Sequence, residues 1–473
     1  MPLKSFFTPR IVLVSAFISG LFIRILNLGS KSLWLDEAYA IYVAQMPTAT
    51  ILLEGADPVH PPLFFLILHF WAELGTSELV LRLIPVVCSA IAIIPIYIIG
   101  KELFNRDVAL TAILLYSFNP LIIWYAQELR MYSLFLLMGA CSTAFLLLGT
   151  RSNKNQAKFF YLCAAVICTA GLAYTHYAAF LFIYFQLLLI VVLIAYQKRT
   201  RSLFFAWVGV TLFTVILYLP WILTPYAQTF YSRLLSGSGI RYYVPLLTTL
   251  IDPSTDQGRL VLACIRVGFA LIIPFIIYLI GSKERFHRSV YQLLNMSWLN
   301  PVMFLGFSLF VLLGVIPRGY TIKRHLLIYI PFVLLLFGLF WPFVVQKRWI
   351  LGFILLFSIG ASLINIYFIP KTEWRDISNQ VEENFDAQDV VILNPHYLDV
   401  PFEFYNQDNL VFNGSIDELN EMFNSIGQQN IWYIEQEINP NFRADLSGSL
   451  LDQLTIIDEA SYTRTKVYQL NKP

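Results

Sequence analysis

The chain has 473 residues, of which 58% are hydrophobic and only 13% are charged, and its mean hydropathy is +0.65. Soluble domains carry about 25% charged residues, so this composition excludes a soluble globular protein and predicts an integral membrane protein. The net charge of +2 is nearly neutral and gives no reason to expect a nucleic-acid partner. The 5 cysteines lie in apolar runs without CxxC spacing, which indicates buried hydrophobic residues rather than disulfides, zinc binding or redox chemistry.

Apolar stretches recur along the chain at lengths near the roughly 20 residues that a helix needs to cross a bilayer. We predict about eleven membrane helices, the first of them a retained anchor rather than a cleaved signal peptide. Their approximate bounds are 11–27, 79–100, 108–125, 131–149, 159–176, 178–196, 203–221, 260–280, 301–316, 325–345 and 350–369.

Basic residues in short loops favour the cytoplasmic side of a membrane. With Lys4 and Arg10 in the cytoplasm, most basic loops fall on that side. We therefore expect a multi-pass protein of the plasma (inner) membrane with a cytoplasmic N-terminus. The loop 27–78 then faces the opposite side, is acidic and has Lys31 as its only Lys or Arg. Helical spacing in "AIYVAQM" and "PPLFFLILHFWAEL" within this loop predicts two helices lying at the membrane surface.

Two adjacent acids, Asp36 and Glu37, follow the first apolar span in "NLGSKSLWLDEAYAIY". A carboxylate this close to the hydrocarbon is costly unless it is paired or used in function. One interpretation is structural, because an acid in the first helical turn gains about 0.3–1 kcal/mol from the helix dipole and Asp36 could cap a helix over 37–45. The other is functional, with a carboxylate that takes a proton from a hydroxyl group.

Three more clusters fall in turns on the same side of the membrane. In "EGADPVHPPLFF", Asp57 and His60 flank a proline, and an imidazole on a rigid turn can contact a phosphate or a hydroxyl. In "WYAQELRMYSL", Glu128 and Arg130 either form a plain ion pair or present Arg130 to a phosphate. His176, in "LAYTHYAAF", is either a structural hydrogen-bonding residue or a ligand-binding one.

One basic loop, "IPRGYTIKRHLL", breaks the orientation rule because it falls on the non-cytoplasmic side. Basic residues on that side need a reason, and an anionic ligand is the obvious one. The residues concerned are Arg318, Lys323, Arg324 and His325.

The composition becomes polar after the last apolar span. The segments "EWRDISNQVEENF" and "SIDELNEMFNSI" predict helices, whereas "DVVILNP", "NIWYIEQE", "LTIIDEA" and "TKVYQL" predict strands. This alternation predicts a small extracytoplasmic α/β domain at 371–473, following a membrane domain at 1–370. It contains no glycine-rich nucleotide motif, so we expect it to face the substrate or stabilise the protein without catalysis of its own.

Taken in order, "SLWLDEAYAIYVA", "DPVHPPLFFLILHFW", "YAQELRMYSL", "LAYTHYAAF" and "KRHLLIYIPFVLLL" resemble family 39 glycosyltransferases. These are the protein O-mannosyltransferase-like members of the GT-C superfamily, and the bacterial branch is the most similar. The match covers essentially the whole membrane part, whereas the C-terminal region is not the β-trefoil of eukaryotic protein mannosyltransferases. The resemblance implies a mainly α polytopic membrane protein that transfers a sugar, with inversion, from a polyprenyl-phosphate donor to a hydroxyl on the non-cytoplasmic face.

The resemblance also implies roles for some of these residues. Asp36 would be the general base that deprotonates the acceptor, and Glu37 its partner. The donor phosphate would be bound by Arg130 and by Lys323, Arg324 and His325. Such cations would stabilise the charge that develops on the leaving phosphate. No multi-carboxylate ligand set is evident, so we expect no metal cofactor, although some GT-C relatives use a divalent metal. From the clusters and the resemblance together, we expect the substrate-binding residues to be Asp57, His60, Glu128, Arg130, His176, Lys323, Arg324 and His325.

The acceptor stays open between a protein, a polysaccharide and a glycolipid, and transfer onto a lipid A-type glycolipid is the alternative within the same class. A lipid-linked sugar transporter or flippase, or a sensor, is the alternative in a different class. Transporters often show internal repeats and charges near mid-bilayer. Neither feature is evident here, since the charges collect at one rim, which favours the enzyme.

Overall fold

The computed structural model describes residues 9–54, 57, 60–196, 201–224, 327–338, 348–386, 389–394, 396–406, 411–412, 430–436, 455–463 and 465–471. Within these ranges the chain forms a helical membrane part followed by a five-stranded sheet with two flanking helices. This architecture confirms the predicted fold class, a mainly α polytopic membrane protein with a small C-terminal α/β region.

The membrane part contains helices of very different length. In chain order they are α1 (Pro9–Ile25), α2 (Leu35–Gln45), α3 (Leu63–Trp71), α4 (Glu78–Ile91), α5 (Ile93–Leu103), α6 (Arg106–Ser117), α7 (Pro120–Ala126), α8 (Tyr132–Arg151), α9 (Asn155–Thr175), α10 (Ala179–Tyr196), α11 (Arg201–Ile222), α12 (Ile330–Gly338) and α13 (Arg348–Phe368). The described residues of the membrane part also include a π-helical turn at Thr50–Glu54 and 3-10 turns at Ala72–Leu74 and Leu327–Tyr329.

Among the described residues, five helices are long and apolar enough to cross a membrane. They are Glu78–Leu103, in which α4 and α5 together form one span, and Tyr132–Arg151, Asn155–Thr175, Ser202–Ile222 and Leu351–Phe368. Helices α6 and α7 would form a sixth crossing, bent by 58°. The spans predicted at 260–280 and 301–316 lie outside the described residues, and the span at 325–345 is described only in part. The other predicted spans each coincide with a helix or a pair of helices.

The bend between α6 and α7 has a clear local cause. Pro120 opens α7, and the side chain of Asn119 caps it by accepting from the N–H groups of Leu121 and Ile122 at 3.0 and 3.1 Å, so α6 cannot continue. The buried Arg24 then donates to the main-chain carbonyl of Ser117 at 2.9 Å. A cation at the carboxyl end of a helix is electrostatically favourable. The bend sets the direction of α7 and therefore the position of the turn that follows it.

Two short helices of the first loop lie where the sequence predicts surface helices. Helix α2 packs against α3, and the indole N–H of Trp71 at the end of α3 donates to the carbonyl of Val80 at 2.8 Å. The short π-helical turn between them was not predicted. Helix α2 is therefore held from one side by α3 and, through it, by the membrane helix α4.

The C-terminal region forms a sheet of five strands, β1 (Val390–Asn394), β2 (Val411–Phe412), β3 (Asn430–Gln436), β4 (Thr455–Tyr462) and β5 (Thr465–Asn471). Their order across the sheet is β2-β1-β3-β5-β4. Strand β1 pairs in parallel with β2 and β3, whereas β5 pairs antiparallel with β3 and β4. The predicted helix at the start of this region and the four predicted strands are confirmed. The helix at Asp399–Tyr405 and the strand β2 were not predicted. The helix predicted in "SIDELNEMFNSI" lies outside the described residues. The elements are α14 (Trp374–Asn384), β1 (Val390–Asn394), a 3-10 turn (His396–Leu398), α15 (Asp399–Tyr405), β2 (Val411–Phe412), β3 (Asn430–Gln436), β4 (Thr455–Tyr462) and β5 (Thr465–Asn471).

Side chains of the C-terminal region attach it to the first loop. Tyr405 accepts from the N–H of Leu33 at 2.7 Å and donates to a carboxylate oxygen of Glu78 at 2.9 Å. The guanidinium of Arg375 contacts the same carboxylate and the carbonyl of Gly29. These bonds tie the sheet region to the segment that directly precedes the Asp36–Glu37 pair.

Candidate active site

The acidic pair begins helix α2, where the two side chains point in different directions. Successive residues of a helix are turned by about 100°, so neighbours in sequence face different surroundings. Asp36 is half-buried, whereas Glu37 is fully buried at 0% exposure. Asp36 therefore keeps part of its surface exposed, whereas Glu37 belongs to the interior.

Glu37 is enclosed by hydrogen-bond donors. Arg82 donates through Nε to Oε1 at 2.9 Å and through Nη2 to Oε2 at 2.7 Å. Lys371 donates to Oε2 at 3.1 Å, and the N–H of Leu129 donates to Oε1 at 2.8 Å. Burial opposes ionisation, but the Arg82 and Lys371 cations outweigh it and lower the pKa of Glu37 to about 2. A carboxylate that stays ionised and is bonded in this way is better suited to holding neighbouring residues in place than to accepting a proton.

Arg82 also bonds to the main chain of the first loop, ahead of α2. Its Nη1 donates to the carbonyls of Leu28 and Lys31 at 3.0 and 2.6 Å, and its Nη2 donates to the carbonyl of Ser32 at 3.0 Å. A single arginine thus fixes both the loop that leads into α2 and the second acid of the pair.

The turn after α7 brings Glu128 and Arg130 next to Asp36. Both are only 4% exposed, and Nη1 of Arg130 donates to the main-chain carbonyl of Asp36 at 3.0 Å. Burial lowers the pKa of Arg130, but neighbouring acids, Asp36 first, raise it more, so the guanidinium stays charged. In the described part of the chain the Glu128 and Arg130 side chains do not bond to each other, so the alternative of a plain ion pair gains no support.

Glu128 is a buried acid with an unusual titration. Burial raises its pKa to about 7, and the charges of Glu37 and Asp36 add to that effect, whereas Lys371 and Arg130 oppose it. Near neutral pH this carboxyl group can therefore both give and accept a proton. It is within electrostatic range of both Glu37 and Asp36.

Two histidines form the next part of the site. Nδ1 of His60 lies 2.9 Å from a carboxylate oxygen of Asp57, and the two side chains are 9% and 4% exposed. The His60 and His176 rings are 5.3 Å apart between centroids. The N–H of Ala178 donates to Nδ1 of His176 at 3.0 Å, so a neutral His176 carries its proton on Nε2.

Tyr39 on α2 is within electrostatic range of both Asp57 and Arg130. Burial and then the charge of Asp57 raise its pKa to about 12, while Arg130 acts in the opposite direction. Acids and cations from four separate chain segments are thus within electrostatic range of one another. The predicted residues brought together here are Asp36, Asp57, His60, Glu128, Arg130 and His176, with Glu37 directly behind them. Lys323, Arg324 and His325 lie outside the described residues.

Three cations of this site were not among the predicted residues. Arg82 lies near the end of an apolar span, where an arginine ordinarily reaches the membrane surface, yet its side chain is 1% exposed. Lys371 directly follows the last span, and Lys31 is the only Lys or Arg of the first loop. The signal that could have found them is the buried acid itself, because an ionised carboxylate in a membrane protein requires cationic partners.

In the ranges that the structure describes, no group of three or more His, Cys, Asp or Glu residues comes close enough to hold a metal ion. The expectation of a metal-independent reaction stays a prediction.

The comparison with protein families agrees with the motifs. The model of the dolichyl-phosphate-mannose-protein mannosyltransferases matches residues 59–223, a range that contains His60, Glu128, Arg130 and His176. No curated protein matches the chain.

Solved structures with the same fold include membrane glycosyltransferases. ArnT from Cupriavidus metallidurans in the apo state has a TM-score of 0.55 at 13% identity, over 96% of this chain and 97% of that one. The same protein bound to undecaprenyl phosphate has a TM-score of 0.52 at 15% identity, over 96% and 97%. The Archaeoglobus fulgidus oligosaccharyltransferase has a TM-score of 0.53 at 14% identity, over 90% and 68%.

At these identities the structures show the fold, and the family model adds the class of reaction. Together they confirm the predicted recognition of a GT-C superfamily glycosyltransferase similar to the protein O-mannosyltransferases. The chain is a membrane glycosyltransferase.

Proposed function

We propose that the protein transfers a sugar from a polyprenyl-phosphate donor to an acceptor hydroxyl on the non-cytoplasmic face of the plasma membrane, with Asp36 as the general base. The N-terminus would lie in the cytoplasm and the C-terminal α/β region outside it. The observation that carries this proposal is the contact between Arg130 and Asp36, 3.0 Å from Nη1 to the main-chain oxygen, which places a buried cation beside the backbone of a half-buried acid.

The reaction needs two kinds of group at once. The acceptor hydroxyl loses its proton to a carboxylate as its oxygen bonds to C1 of the sugar. The C1–O bond to the phosphate breaks on the opposite side, so the anomeric configuration inverts, and the departing phosphate gathers negative charge. Asp36 suits the first task because it is accessible, and Arg130 suits the second because it is charged and shielded from water.

The other residues have supporting tasks in this proposal. Glu37 positions Asp36 through the Arg82 and Lys371 contacts and stays ionised. His60, oriented by Asp57, would bind a hydroxyl or phosphate oxygen through its second ring nitrogen. His176 would contribute a hydrogen bond from its Nε2.

Solved relatives supply the donor chemistry. One ArnT structure is bound to undecaprenyl phosphate, and an archaeal oligosaccharyltransferase structure contains a dolichol-phosphate. A polyprenyl-phosphate carrier for this chain rests on that likeness together with the Asp36–Arg130 geometry. The acceptor would be a hydroxyl of a protein, a polysaccharide or a glycolipid.

The decisive experiment uses the full chain in lipid vesicles with radiolabelled polyprenyl-phosphate sugars and a membrane extract. Asp36→Asn should fold and insert yet transfer label about 100-fold or more slowly, the loss expected for a missing general base. Asp107→Asn is the matched control, since Asp107 is also an acid in the first turn of a helix and should leave transfer unchanged. Full transfer by the Asp36→Asn protein would overturn the assignment.

A further inference from the structure

The outer strand of the C-terminal sheet has one open side. Strand β4 is the last in the strand order and pairs antiparallel with β5, and within the described residues no strand pairs with its other side. In an antiparallel ladder the main-chain N–H and C=O groups of successive residues alternate between the two sides of a strand. About every second residue of β4 therefore directs its main-chain groups away from the sheet, where another strand could bond to them.

The side chains of β4 are also exposed. Residues 455–459 are all exposed, among them Ile456 at 47% and Ile457 at 52%. Proteins usually protect such an edge with lysine, proline or a very short strand, but β4 has 8 residues and contains no Lys, Arg or Pro. It has a bulge between Ile456 and Asp458, after which it pairs regularly with β5 as far as Tyr462. The edge therefore presents a regular template preceded by two exposed isoleucines.

Hydrogen bonds to the rest of the C-terminal region hold this edge in place. The hydroxyl of Tyr462 donates to the side-chain oxygen of Gln380 at 2.7 Å, and the N–H of Thr463 donates to a carboxylate oxygen of Glu373 at 2.9 Å. Gln380 lies on α14 and Glu373 directly precedes it. A preformed strand loses less conformational freedom on binding than a flexible segment does. Strand β4 can therefore accept a further strand without rearrangement of the sheet.

The charge of β4 selects between possible partners. Asp458 and Glu459 lie at the centre of the strand, on opposite faces of the sheet. Glu459 pairs with Lys466 at 3.3 Å, whereas Asp458 has no ion pair with a Lys or Arg among the described residues. A second copy of β4, added antiparallel about the centre of the strand, would place acids opposite acids, which is destabilising. A segment with Lys or Arg at these positions would be favoured.

We infer that β4 binds an extended segment of another protein by strand addition, with Lys or Arg opposite Asp458 and Glu459 and β-branched residues opposite Ile456 and Ile457. The main-chain ladder would supply affinity, and the acidic pair and the isoleucines would supply selectivity. The inference goes beyond the proposed function and does not depend on it, because no residue of β4 belongs to the candidate active site.

The test is peptide binding to the purified full chain in detergent, read by fluorescence anisotropy. The probe is the dye-labelled peptide Thr-Val-Thr-Lys-Lys-Val-Thr-Val, which places its two lysines opposite the acidic pair when it runs antiparallel to β4. The same peptide with Glu in place of both Lys should bind about tenfold or more weakly, because like charges would then lie opposite each other. If the lysine peptide bound no better than the glutamate peptide, the inference would be overturned.

N-methylation of the lysine peptide separates strand addition from simple charge attraction. In an added strand, one set of alternate N–H groups bonds to β4 and the other set faces solvent. Methylation of the first set should weaken binding about tenfold or more, since the ladder bonds are lost, whereas methylation of the second set should leave binding nearly unchanged. Equal effects of the two methylation patterns would contradict strand addition.

A charge reversal tests whether the peptide binds at β4. Asp458→Lys should weaken binding of the lysine peptide about fivefold and strengthen binding of the glutamate peptide, and the second change would also show that the variant is folded. Glu382→Lys is the matched control, because Glu382 is an exposed acid on α14 of the same region, and this variant should bind both peptides as the unmodified protein does.

Two further outcomes would also overturn the inference. Equal weakening by Asp458→Lys and Glu382→Lys would show attraction to net charge alone. A dimer of the full chain that the lysine peptide dissociates, detected by size-exclusion chromatography with light scattering, would assign the edge to a second copy of the chain.

Discussion

Replacing Glu37 by glutamine should destabilise the fold, and not only slow the chemistry. The carboxylate accepts from Nε and Nη2 of Arg82, from Lys371 and from the N–H of Leu129. A glutamine of the same shape offers one oxygen and one NH2 group. At least one of these donors would then face another donor, and two buried cations would lose their counter-charge.

The size of the effect follows from that geometry. Removing one partner of a buried ion pair costs about 3–5 kcal/mol, because the charge left behind stays out of water. The Arg82 and Glu37 side chains are 1% and 0% exposed, so the full cost applies. Thermal unfolding of the detergent-purified protein, followed by intrinsic fluorescence and size-exclusion chromatography, should show a large drop in the melting temperature.

The matched control is another glutamate in an ion pair with an arginine. Glu102 pairs with Arg151, whose side chain is 57% exposed, and exposed pairs contribute about 0–1 kcal/mol. Glu102→Gln should therefore melt almost as the unmodified protein does. If Glu37→Gln were as stable as Glu102→Gln yet inactive, Glu37 would be acting on the substrate and the anchoring role would be refuted.

Two further changes test neighbouring contacts. Because the Glu128 pKa is raised to about 7, its protonated form favours the fold, and the free energy of unfolding should fall as pH rises from about 4.5 to about 7. Glu128→Gln should remove that fall in a pH series of thermal melts. If the variant kept the same dependence of stability on pH, the buried location of Glu128 would be contradicted. Arg375→Ala removes the contact with Glu78 and should speed limited proteolysis between the membrane part and the sheet region several-fold. The control variant Arg151→Ala should not change the cleavage rate. Equal cleavage rates for the two variants would show that the Arg375–Glu78 contact does not hold the two parts together.

The location of the candidate active site was predictable from the sequence. Charged residues collect in turns at one end of the apolar spans, since the bilayer tolerates them poorly elsewhere. Asp36, His60, Glu128 and His176 could each be found in this way, because a turn between two spans is a local feature. The membrane helices and four of the five strands are local in the same sense, as hydrophobic period and length define them.

The different tasks of the two adjacent acids were decided by the tertiary structure alone. Glu37 is bonded to Arg82, 45 positions away, and to Lys371, 334 positions away, and no local pattern encodes partners at such separations. Sequence could pair Asp36 with Glu37 but could not tell which was accessible, because accessibility depends on what packs around α2. Glu37 is turned toward Arg82, Lys371 and the N–H of Leu129, whereas Asp36 stays half-buried, with Arg130 at its main chain. That difference in burial separates an anchor from a candidate base.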